Sequence, residues 1–84
     1  MVIDIGIKSS NSSTRKIIIE PWAEEFCLAY ESEYKLRIFT PKSLDFYIEV
    51  VEDYIVISVP SGSVCTLLED GSDISKAALS IPVP

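Results

Sequence analysis

Residues 34–59 read YKLRIFTPKSLDFYIEVVEDYIVISV, and this stretch decides the fold. Apolar and polar side chains alternate in three segments: at Leu36 and Ile38, at Phe46, Ile48 and Val50, and at Ile55, Ile57 and Val59. A period of two places successive side chains on opposite faces of a strand. The three segments therefore predict an antiparallel meander. A first turn at Pro41-Lys42-Ser43 sets Leu36 opposite Ile48 and Ile38 opposite Phe46, with Lys35 opposite Glu49 and Arg37 opposite Tyr47 on the other face. A second turn at Glu52-Asp53 sets Ile48 opposite Ile57, Val50 opposite Ile55 and Phe46 opposite Val59. Both registers gather the same apolar residues on one buried face.

Working outward, residues 54–59 are apolar on both sides, because Tyr54 and Val56 oppose Ile55, Ile57 and Val59 across the pleat. Such a strand belongs inside a sheet or against a partner. Pro60-Ser61-Gly62-Ser63 reads as a turn, residues 64–68 as another strand, and Asp70-Gly71 as its end. The tail is apolar at Ala77, Leu79, Ile81 and Val83, again with period two, and Pro82 and Pro84 suit an edge strand. Toward the amino terminus, residues 2–7 form an apolar start and residues 9–14 are small and polar. Residues 1–14 thus read as an edge strand plus a flexible loop.

Residues 21–31 support two readings. Pro21, Glu24 and Glu25 suit a first helical turn, with Trp22, Phe26 and Tyr30 on one stripe. A strand instead aligns Phe26, Leu28 and Tyr30 after a kink at Pro21 that ends the β-branched run Ile17-Ile18-Ile19. The predicted fold is all-β, a small antiparallel β-sandwich or partly open barrel of about six strands. The alternative is an α+β domain with one short helix at 21–31.

EPWAEEF at 20–26 and PSGSVCTLLEDG at 60–71 resemble a group of small uncharacterised bacterial all-β proteins. In that group a similar segment leads into a strand, and a GS-V turn precedes an acidic DG hairpin. The resemblance implies strand and turn at 27–33, although AYESEY stands where that group tends to carry Pro and Gly. It brings no activity, ligand or site residue.

With 84 residues, the chain is read as one domain, 1–84. Thirteen acidic residues against seven basic ones give a formal charge of −6, a field that repels phosphate backbones, so no nucleic-acid partner is expected. No apolar run reaches the roughly 18–20 residues of a spanning helix, and Met-Val-Ile-Asp has no basic leader region, so no membrane association and a cytoplasmic location are expected. Asn11-Ser12-Ser13 fits a glycosylation acceptor by chance in such a compartment. There Cys27 and Cys65, each beside apolar neighbours, should be two reduced, buried thiols.

The chain contains no histidine, the commonest general base and transition-metal ligand. Two cysteines without nitrogen ligands do not make a zinc site. The acidic run at 69–73 lacks the alternating ligands of a calcium loop, and the glycines at 6, 62 and 71 build no phosphate cradle. No cofactor, metal or catalytic residue is expected. Paired carboxylates at Glu24-Glu25, or Glu20 near Trp22, are the one arrangement left for an enzyme. The acids Glu20, Glu24, Glu25, Glu31 and Glu33 are interleaved with Trp22, Tyr30 and Tyr34, and no basic residue lies between Ile17 and Tyr34. Aromatics rimmed by charge compose interfaces, and a core Trp under a solvated acidic face has the same sequence.

The sequence therefore points to a non-catalytic protein-interaction or assembly module, with Trp22, Glu20, Glu24, Glu25, Tyr30 and Tyr47 as candidate contact residues. A small-ligand-binding β domain, its mouth lined by Trp22, Tyr30 and Tyr47, is the alternative. A carboxylate-dependent enzyme is a distant third. Unpaired sheet edges and the two-sided strand at 54–59 predict a homo-oligomer, formed through the carboxy-terminal strand or through a face carrying Tyr47, Tyr54 and Val56.

Overall fold

Alternating sequence becomes eight short strands among the described residues: β1 Val2–Lys8, β2 Arg15–Glu20, β3 Glu24–Leu28, β4 Glu33–Phe39, β5 Tyr47–Val51, β6 Tyr54–Ser58, β7 Val64–Glu69 and β8 Ser72–Asp73. A 3-10 turn, Ala77–Ser80, follows β8. The computed structural model describes residues 1–9, 15–41 and 46–84. The strands form two four-stranded sheets, ordered β1-β4-β7-β8 and β3-β2-β6-β5, and the fold is a small all-β sandwich. Three hairpins, β2-β3, β5-β6 and β7-β8, stay within a sheet, whereas every other connection passes from one sheet to the other. All pairings are antiparallel except β2 with β6, where Ile17 lies beside Ile55 and Ile19 beside Ile57.

The core is the space between the two inner faces. Ile17, Ile19, Phe26, Leu28 and Ile57 line one side, and Tyr34, Leu36, Ile38, Cys65 and Leu67 line the other, all buried. Period two puts these residues inward and leaves Lys16, Glu25, Lys35 and Arg37 outward. On the outer face Arg37 lies opposite Asp4, and the two form an ion pair at 2.8 Å. That hydrogen bond holds the Asp4 carboxyl below its usual range.

The second expected hairpin is present: Ile48 faces Ile57 and Val50 faces Ile55. The first is not. β4 pairs with β1 and β7, so Leu36 lies between Ile5 and Leu67, and Ile38 between Ile3 and Cys65. Lys35 therefore faces Gly6 and Leu68, and Arg37 faces Asp4 and Thr66, in place of Glu49 and Tyr47. Alternation dictates which face of a strand is apolar; it does not dictate whether an apolar partner sits beside that strand or across the core. Lys42 and Ser43 of the expected first turn lie outside the described residues.

Residues 21–31 resolve as turn and strand. Pro21, Trp22 and Ala23 form the β2-β3 turn after a cis Glu20-Pro21 bond, and Ala23 takes a left-handed φ of 58° that a helix cannot contain. Phe26 and Leu28 then face inward opposite Ile17 and Arg15, while Tyr30 lies beyond the strand and is exposed. Asp70 and Gly71 also have positive φ, 48° and 86°, the pattern of a type I′ turn that closes β7 onto β8.

The tail departs from its expected strand. Leu79, on the 3-10 turn, is fully buried, and residues 81–84 run back along the β6-β7 turn. Gly62 N–H donates to Val83 O at 2.7 Å, Val83 N–H donates to Ser63 O at 3.1 Å, and the Ser61 hydroxyl donates to Pro84 O. A Cβ on Gly62 would meet Pro41 Cγ at 2.9 Å, so this close approach, together with a φ of 82°, requires glycine.

Replacing Ile57 or Leu36 by Ala should destabilise the domain by about 2–5 kcal/mol each, while Val50→Ala should stay within about 0.5 kcal/mol in dilute protein. Urea denaturation of the three variants checks this. Equal losses at Ile57 and Val50 would contradict the described core.

Candidate interaction surface

A sandwich must do something with its four edge strands, since each leaves a row of unpaired backbone groups. β8 is only two residues long. β3 is guarded by Lys76, whose Nζ donates to Glu25 O at 2.9 Å, pairs with the Glu24 carboxylate at 3.3 Å and lies 5.0 Å from the centre of the Phe26 ring. β1 carries the charged Asp4 and Lys8 outward and packs Ile3, Ile5 and Ile7 against the core. Among the described residues, β5 has no such device. Its one charge is Glu49, between Tyr47 and Val51 on the outer face; its inner face, Ile48 and Val50, is wholly apolar, and every residue but Val51 is exposed.

The exposure has a geometric origin. Ile48 and Val50 point to the inner side, since they oppose Ile57 and Ile55, yet they are 49% and 70% exposed. The expectation that they join the core is thus corrected: their face is right, and the opposite sheet does not reach far enough to cover them. On the outer side Tyr47, opposite Ser58, is 71% exposed, and at the other end of the hairpin Val51 and Tyr54, opposite each other, are half-buried.

The residues singled out by sequence do not converge. Trp22, in the β2-β3 turn, is half-buried against the core and donates its indole N–H to Ile81 O at 3.1 Å. Tyr30 lies past the far end of β3, about 17 Å of strand from that turn at ~3.4 Å per residue. Tyr47 is on β5, three strand spacings from β3, on the order of 14 Å. An aromatic-lined mouth built from these three rings is therefore absent. Glu24 and Glu25 point to opposite faces of β3, so they do not act on one bond. Glu24 is paired with Lys76, and Glu33 pairs with Lys8 at 3.7 Å, so distant lysines break up the acidic run. Glu20 ends β2, and its carbonyl accepts the Val59 N–H at 3.1 Å.

A cleft of about 370 Å³ lies on the outer face of the β1 sheet, lined by Gly6, Lys8, Lys35, Leu68 and Gly71 among others. On the inner side of the same sheet, the Tyr34 hydroxyl accepts the Ala29 N–H at 2.7 Å and donates to Glu69, and burial pushes the phenol up from its ordinary value. Among the described residues, no group of three or more His, Cys, Asp or Glu side chains could hold a metal ion. No helix there is long and apolar enough to cross a membrane.

Both thiols are free. Cys65 is buried as expected, but Cys27 is exposed, because it alternates outward between Phe26 and Leu28. Comparison of the chain with protein-family models, with curated proteins and with solved structures finds no match in any of the three.

Burial pushes the Cys65 thiol up from 9.0 to about 12. A thiol reagent at pH 8 should therefore label one site per native chain, Cys27, and both in denaturant. Since Cys65 stays protonated when folded and ionises when unfolded, stability is full below pH 9 and falls as pH rises toward 12. Mass spectrometry of the labelled chain and alkaline denaturation read the two effects. Native labelling at both sites would place Cys65 outside the core.

Proposed function

We propose that the protein is a non-catalytic interaction or assembly module that binds a protein partner through the free edge of β5. The observation that supports this reading is a strand whose inner face is apolar, 70% exposed at Val50, and which no other described residue guards, where the other edges are short, capped or carry more charge. Such an edge offers main-chain hydrogen bonds along its length and alternate side chains to both sides, the means by which sheets add a foreign strand. The chain's lack of histidine and its separated carboxylates accord with binding rather than catalysis. Of the residues singled out by sequence, Tyr47 belongs to this edge, whereas Trp22 holds the tail and Glu24 holds Lys76.

Placing a charge on the apolar inner face of the edge should abolish binding without unfolding the domain, because Val50 touches little of the core. Val50→Lys and the unaltered protein, both immobilised, are compared for proteins retained from an extract of the producing cells. Bands retained by the unaltered protein should be lost with the variant. Equal retention would refute the assignment of the edge.

A further inference from the structure

We infer that the partner of β5 is β5 of a second copy of this chain, paired antiparallel about a two-fold axis at Ile48. This inference rests on the reading of β5 as the interaction edge. Antiparallel self-pairing fixes the register by the residue on the axis. An axis at Ile48 sets Ile48 against Ile48, Tyr47 against Glu49, and Phe46 against Val50 of the second copy. Within residues 46–50 every inward pair is then apolar, and each Glu49 meets a phenol. An axis at Glu49 instead opposes two carboxylates, and an axis at Val50 sets Glu49 against Val51 and leaves it no polar partner within the strand, so both registers are selected against.

The rest of the molecule fits such a pair. Lys76 reaches Glu24 and Glu25, and Trp22 reaches Ile81, so the β8 end of one sheet lies over the β3 end of the other. The opposite ends, β1 and β5, therefore share the other side of the sandwich. That side carries Val2 at 55% exposure, the half-buried Ile3, Ile5 and Ile7, and the uncovered Ile48 and Val50. A standard interface removes roughly 800 Å² from each partner, about one sixth of the 5044 Å² this chain exposes. Five strand residues supply only part of that area, so the second copy must also bring the β1 edges together over the joined strip of Phe46, Ile48 and Val50. The result is one eight-stranded sheet across the dimer. With a charge of −6 on each copy, association should tighten as salt rises.

Two measurements test this. Sedimentation over a hundredfold range of protein and at two salt concentrations should show a dimer favoured by salt, and Val50→Lys should shift it to monomer with an unchanged circular dichroism spectrum. In a Cys27→Ser background, Ile48→Cys should form a covalent dimer under mild oxidant about tenfold faster than Val50→Cys, because only residue 48 meets itself. A monomer throughout, or equal crosslinking at both positions, would overturn the inference. A monomer that still retains extract proteins lost with Val50→Lys would overturn self-pairing alone, and one that retains none would overturn the interaction reading as well.

Discussion

Ile17 and Ile19 are the residues on which the rest of the sandwich leans. Both are fully buried, and their strand is paired on one side with β3 and on the other with β6, thirty-eight positions on in register at Tyr54–Ser58 and Lys16–Glu20. That parallel pairing cannot come from a hairpin, so the chain must leave the sheet, run through β4 and return. The return path is what places Leu36 and Ile38 across the core from Ile57 and gives the domain its second layer. Every later feature, including the uncovered β5, follows from how far that second layer extends.

The all-β class and the β5-β6 register were legible because the period-two signal is local and a two-residue turn constrains it. The neighbours of β4 were not. Leu36 and Ile38 need an apolar face opposite them, and Ile48 across a hairpin meets that need as well as Ile17 across a core. Nothing short of the three-dimensional packing separates the two. The tail misled in a related way: Ala77, Leu79, Ile81 and Val83 alternate, yet only Leu79 is buried, in a 3-10 turn whose spacing happens to coincide.

The candidate surface was partly legible for the same reason. The sequence marks Tyr47 as an aromatic on the outer side of a strand, whereas the pattern places Ile48 and Val50 in the core, and the pattern is correct about direction. Their exposure depends on the lateral extent of the opposite sheet, which no residue of β5 encodes. Conversely the acidic run at 20–33 looked unopposed because its cations, Lys8 and Lys76, lie outside it in sequence.

The threading of the chain between layers also governs how the domain comes to be folded. Because the chain crosses between sheets at every connection other than the three hairpins, no contiguous half of it holds a complete layer: one layer needs strands from β1 through β8, and the other strands from β2 through β6. Loop entropy must be lost before the distant β2-β6 contacts compensate it, so folding is expected to be slow for the chain's size, in the millisecond-to-second range of strand-dominated topologies. Assembly and collapse should accordingly be all-or-none. A nascent or partly unfolded chain then exposes β5 beside other unpaired edges, which makes crowding of incomplete molecules the principal hazard to this fold.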